Sequence, residues 1–204
     1  MGIIGTALAA ASGFQLTRLS VEATHYEVVT KLGDIEIRRY APRIVAETNM
    51  EGSGRDAESA GFRVLAGYIF GKNEGTSKVA MTTPVETRTT GTKIAMTTPV
   101  TRARAGQQRT MAFTMPSEHT LESLPTPLDS RVRLREVPGE VVAALRFSGR
   151  ADEADASEKS RELLDQLEGL PWVASGEPTF AQYDPPWVVG PIRRNEVLVA
   201  VRPR

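Results

Sequence analysis

Two histidines, His25 and His119, are the only imidazoles among 204 residues, and they stand 119 − 25 = 94 positions apart. Neutral imidazole is the commonest metal ligand a protein offers, so each is a candidate to hold a metal. Their contexts differ: His25 opens an apolar-alternating tract and His119 sits in the loop SEHTL, and in either place a histidine serves as readily as a surface or capping group. Methionine is the second soft donor. Met81, Met96, Met111 and Met115 fall in strand-like tracts, where a thioether either ligates a soft metal or acts as a pliable core filler. The third feature is Arg193-Arg194, which follows Asp184, Pro185, Pro186 and Trp187. Two guanidiniums after a rigid aromatic corner can fork onto carboxylates; alternatively one pairs with Glu196 and braces the last hairpin.

Much other chemistry is excluded. With no cysteine, the chain has no disulfide, no thiolate zinc site, no iron–sulfur cluster and no thiolate-ligated iron. No GxSxG, HExxH, phosphate-binding loop or GxGxxG after a strand occurs. Acidic residues such as Asp152, Glu153 and Glu196 are scattered, without the convergence that two-carboxylate catalysis needs. In IEIRRY, Arg38-Arg39 read as alternation between solvent and core. Twenty-five basic residues balance twenty-five acidic ones, which leaves no electrostatic footprint for nucleic acid.

The elements that must position these groups form two similar series. Tyr26–Val29 and Ile35–Tyr40 flank a turn at Gly33-Asp34, and a third strand covers Ile44–Asn49. A helix follows over Asp56–Phe70, with Phe62, Leu65 and Ile69 on one stripe, Val64 and Tyr68 widening it, and Gly71 ending it. Thr110–Met115 is a strand, and Pro116–Pro127 a connection broken by prolines. Then Arg131–Val137 and Val141–Phe147 alternate as strands, and Asp152–Leu167 reads as a second helix with acidic residues in its first turns. Phe180–Tyr183 and Glu196–Val201 close the series. Strands, helix, strands, repeated once, predict an α+β fold with internal pseudo-two-fold duplication.

One phrase occurs twice. SKVAMTTPV (77–85) and TKIAMTTPV (92–100) share seven of nine positions at an offset of 92 − 77 = 15. Proline lacks a backbone donor and holds the preceding residue extended, so each copy predicts a strand with an edge or bulge at Pro84 or Pro99, the two lying side by side around Glu86–Gly91. Together with YEVVTKLGDIEIRRYAPRIVAET (26–48), FTMPSEHTLESLP (113–125) and YDPPWVVGPIRRNEVLV (183–199), the doublet resembles the SOUL haem-binding protein family from about Tyr26 onward.

That resemblance implies an antiparallel sheet curled into a distorted barrel, two flanking helices, and non-covalent binding of haem or a related tetrapyrrole. In some animal relatives the iron-binding histidine precedes the tyrosine that ends the second strand; here that position is Arg39, so the family's ligand is missing. A tetrapyrrole needs a large apolar surface and cations for its propionates. The candidates are Phe62, Leu65 and Tyr68 on the first helix, Met81 and Met96 in the doublet, Trp187 in the late loop, and the cations Arg63, Lys72, Arg193 and Arg194.

Three functions follow: a carrier or buffer of haem or another tetrapyrrole, an enzyme that degrades a tetrapyrrole or removes its metal, and a small-molecule effector-sensing module. The expected partner is a small-molecule tetrapyrrole, not nucleic acid. Residues 1–22 form an apolar leader ahead of a haem-binding domain spanning 23–204, with no charge before Arg18. It fits a signal segment with Ala9-Ala10-Ala11 near its cleavage point, a Gly2 myristoylation pattern, or a loose terminus. The chain is therefore cytoplasmic, or exported or membrane-associated through that segment.

Overall fold

The computed structural model describes residues 22–52, 54–80, 82–90, 108–184 and 188–204. Residues 1–21 of the leader, Met81, the second copy of the doublet with Met96, and Pro185, Pro186 and Trp187 lie outside these residues. Twelve strands and two helices follow in chain order: β1 (Glu22–Ala23), β2 (Tyr26–Leu32), β3 (Ile35–Tyr40), β4 (Arg43–Met50), α1 (Gly54–Ile69), β5 (Thr82–Thr83), β6 (Val85–Thr90), β7 (Gln108–Thr114), β8 (Arg133–Val137), β9 (Glu140–Ser148), α2 (Glu153–Leu167), β10 (Trp172–Ala174), β11 (Thr179–Gln182) and β12 (Arg194–Pro203).

Ten strands make one antiparallel sheet in the order β2-β3-β9-β12-β11-β6-β7-β4-β8, with β10 added to β12. The sheet is curled but open: β2 and β8 end the path among the described residues. The fold is α+β, and its duplication is visible in the order. β4-α1-β6-β7 and β9-α2-β11-β12 are equivalent series that meet where β6 pairs with β11. The strand preceding each series is exchanged. β3 leads into β4 yet pairs with β9, and β8 leads into β9 yet pairs with β4.

Short proline-bearing links cause this exchange. Ala41-Pro42 joins β3 to β4 and Pro138-Gly139 joins β8 to β9, and neither lets the chain fold straight back as a hairpin. The two links touch. A Cβ on Gly139 would stand 3.1 Å from the Tyr40 carbonyl oxygen and 3.3 Å from Pro42 Cδ, so glycine eases this close approach and a side chain there would push the links apart by a few tenths of an ångström.

Both helices pack on one face of the sheet. Ala57, Gly61, Leu65, Tyr68 and Ile69 form the buried stripe of α1. Leu65, Tyr68 and Ile69 join Ala46, Met50, Met111, Phe113 and Met115 in one core. Under α2, Leu163 and Leu167 pack on Ile35, Ile37, Ala143, Leu145, Val197 and Val199. Asp152 caps α2, accepting from the Ala154 and Asp155 amides while the Asp155 carboxylate accepts from its own. That reciprocal arrangement satisfies orphan donors and fixes where the helix begins.

The doublet departs from expectation. Among its described residues the first copy supplies the two residues of β5, which pair in parallel with β1, and, past Pro84, Val85 at the start of β6. Residues 86–90, expected as the connection, continue the strand β6, paired with β7 and β11. Pro84 has no amide to donate, which separates β5 from β6, and the alternating VETRTT then forms the ladder.

Candidate functional site

An open cleft lies where the two links meet. It encloses about 660 Å³, and His25, Tyr26, Arg39, Tyr40, Pro42, Gly139 and Val141 are among its lining residues. Its aromatic part is the Tyr26–Tyr40 pair, with ring centroids 5.3 Å apart and planes tilted by 50°. At the rim the exposed Arg39 pairs with Glu27 at 3.0 Å. The backbone ahead of His25 is fastened to the MTTP phrase: the Thr24 amide and hydroxyl donate to the Thr83 carbonyl at 2.9 and 3.1 Å. His25 itself is exposed at the start of β2.

Next to the cleft, the helix-free face of the sheet carries a buried polar cluster. The small Ala144 and Val142 of β9 lie between Arg38 on β3 and Glu196 on β12. Over them the Arg38 guanidinium donates to both Glu196 carboxylate oxygens, at 2.5 and 3.1 Å. Glu196 also accepts from the Tyr183 hydroxyl at 2.7 Å and from Arg194 Nη2 at 2.7 Å. Arg38 stacks over the Tyr26 ring at 4.3 Å and Arg194 over Tyr183 at 4.0 Å. Burial pushes the Glu196 carboxyl up, but its hydrogen bond and charge contact with Arg38 and the donors from Tyr183 and Arg194 outweigh this and hold it below 4.5. Burial, then the Glu196 charge, push the Tyr183 phenol up.

A smaller cavity of about 100 Å³ shares Tyr40 and Glu140 with the cleft and is also lined by Arg43, Glu86, Arg88 and Thr179. Arg43 Nη2 donates to Glu140 at 2.9 Å and stands 3.7 Å from Glu86, while its Nε and Nη1 are buried without a hydrogen-bond partner among the described residues. Burial pushes the Glu86 carboxyl up, against the opposing charge of Arg43.

Among the described residues, those singled out from sequence do not all come together at one place. Leu65 and Tyr68 are 0% and 1% exposed and belong to the α1 core, with the Tyr68 hydroxyl donating to the Pro125 carbonyl at 2.9 Å. They offer no apolar wall to a ligand, because the helical stripe that carries them is the one facing the sheet. Burial also pushes the Tyr68 phenol up to about 12. Phe62 lies at the edge of that core, 5.4 Å from the Phe113 ring. Arg63 and Lys72 are exposed, the Lys72 stem folded over Gly67. Arg194 takes the bracing role beside Glu196, while Arg193 Nε donates to the Val188 carbonyl at 2.9 Å. Met111 and Met115 are core. His119 stands apart in its loop, Nδ1 3.3 Å from the Ser123 hydroxyl.

Sequence reading missed the Arg38–Glu196 pair. Its partners are 158 positions apart, and Arg38, placed in solvent by alternation, is only 2% exposed. Among the described residues there is no group of three or more His, Asp or Glu side chains placed to hold a metal, and no helix is long and apolar enough to cross a membrane.

Comparison with known proteins supplies the family. Over 87 residues the chain is 38% identical to Heme-binding protein 1 of Mus musculus, a stretch covering 42% of this chain and 44% of that protein. The chain thus matches less than half the length of that curated relative. The EcmrR C-terminal domain superposes with a TM-score of 0.61 at 9% identity, covering 88% of this chain and 99% of that one. A hydrolase from Listeria innocua gives 0.53 at 14% identity, covering 83% and 92%. At such identities the two structures share the fold and nothing more is drawn from them. The sequence itself matches the family described as SOUL heme-binding protein from residue 21 to residue 200, nearly its whole length, and the chain belongs to that family.

Proposed function

We propose that this protein binds haem or a related tetrapyrrole non-covalently and acts as its carrier or buffer. The observation that carries this reading is the family match across residues 21–200. The residues present suit such a group. A cleft of about 660 Å³ is within the usual range of about 300–1,000 Å³ for small-molecule sites. The half-buried Tyr26 ring, Pro42 and Val141 give it apolar surface, His25 gives it an imidazole, and Arg39 gives it a cation. When bound, haem would supply an iron centre for ligand or electron exchange. The chain's own part is to bury the ring face and balance the propionates. Without cysteine it has no thiol through which to attach the group, and an open cleft suits a cargo that must leave again.

Hemin added to the purified chain should bind with about one equivalent and micromolar or better affinity, near −8 kcal/mol, read from a shifted Soret band. A titration with no shifted band would remove the proposal.

A further inference from the structure

We propose that His25 is the axial ligand to the iron, with the ring seated in the crossover cleft and Arg39 at the rim for a propionate; this rests on the tetrapyrrole reading above. Three requirements coincide in this place: apolar surface, an exposed imidazole, and a cation held only by a surface pair. On α1 the large apolar residues Leu65 and Tyr68 point into the core, while Arg63 and Lys72 are exposed. The other imidazole lines neither cavity, and its Nδ1 is beside Ser123.

His25 is also held in place from both sides. Thr24 is fixed by two hydrogen bonds to Thr83, and the Tyr26 ring packs against Tyr40 under the Arg38 guanidinium. The backbone at 25 thus has little freedom, while its side chain stays open to solvent, which is the preorganisation a ligand residue needs. Arg39 can turn from Glu27 to a propionate at small cost, since an exposed ion pair contributes little and is screened by salt.

The test is hemin titration of the full chain and of His25→Ala, His119→Ala and Ala41→Trp, followed by visible absorption and by electron paramagnetic resonance of the ferric form. His25 and Ala41 are exposed, so these variants should fold, as far-ultraviolet circular dichroism checks. In His25→Ala the histidine-ligated spectrum should give way to a water-ligated, high-spin one, with affinity falling roughly tenfold or more. Free imidazole should restore the spectrum. Ala41→Trp should weaken binding by filling the cleft, and His119→Ala should match the wild type. If hemin binds His25→Ala with the wild-type spectrum, or binds Ala41→Trp undiminished, the site lies elsewhere and only this inference falls. If the wild-type chain leaves the hemin spectrum unchanged, the tetrapyrrole reading falls with it.

Discussion

At the scale of single residues, Glu196 organises the helix-free face. It is 0% exposed, and two arginines and a tyrosine donate to it. Removing one member of a buried pair strands the other charge, so Glu196→Ala should cost about 3–5 kcal/mol in urea unfolding, well above an ordinary surface substitution. The pH dependence has a definite sign. Because the folded carboxyl titrates below 4.5, its contribution is fully present above that pH and is lost as pH falls through the folded value. Glu196→Gln should therefore flatten the acid limb of the stability profile relative to the wild type, and an unchanged limb would show that other carboxylates govern it. Of this cluster only the bracing of Glu196 by one of the two late arginines was legible in the sequence. Alternation along IEIRRY gives the face on which Arg38 lies, but one strand cannot reveal that the same face receives a carboxylate from β12.

At the scale of elements, α1 rests on the sheet through Gly61. A Cβ there would stand 3.0 Å from Met50 Cγ, 3.3 Å from Met50 Sδ and 3.6 Å from Met111 Sδ. Alanine should be nearly neutral, because its helical gain over glycine of about 0.5–1 kcal/mol offsets a push on two flexible thioethers. Gly61→Leu overpacks the same spot and should lose about 1–3 kcal/mol, measured by thermal or urea unfolding. Such elements were legible. Periodicity and stop glycines give both helices to within two residues, and alternation gives β3, β4, β9 and β12. The failures have physical causes. The MTTP phrase is apolar and β-branched, yet its proline lets only two residues pair before the ladder resumes at Val85. β1 and β10 are too short to carry a period. The cleft was half legible: the β2–β3 hairpin, where Tyr26 pairs with Tyr40 and Glu27 with Arg39, brings His25, Arg39 and Tyr40 to one end, but the meeting of two proline-bearing links nearly a hundred positions apart, which adds Gly139, Glu140 and Val141, was hidden.

At the scale of the molecule, the duplicated series are tied together by the strands they exchange. β3 depends on β9 and β4 on β8, so neither half holds a complete set of partners. Fragments 22–130 and 131–204 should each lack cooperative unfolding, whereas the intact chain should show one transition by circular dichroism and Trp fluorescence together. A fragment that melts cooperatively alone would show that the exchange is dispensable. The repetition itself was legible in the order of elements, but the exchange was not, because each leading strand is followed directly by the strand a hairpin would have given it. The ribosome delivers this chain from one end, and β4 stays uncovered on one side until residues 133–137 have emerged, as β3 does until β9 follows. During synthesis the first half therefore presents bare strand margins to its surroundings, and the nascent protein depends on prompt completion or on chaperones to keep those margins from pairing with another copy.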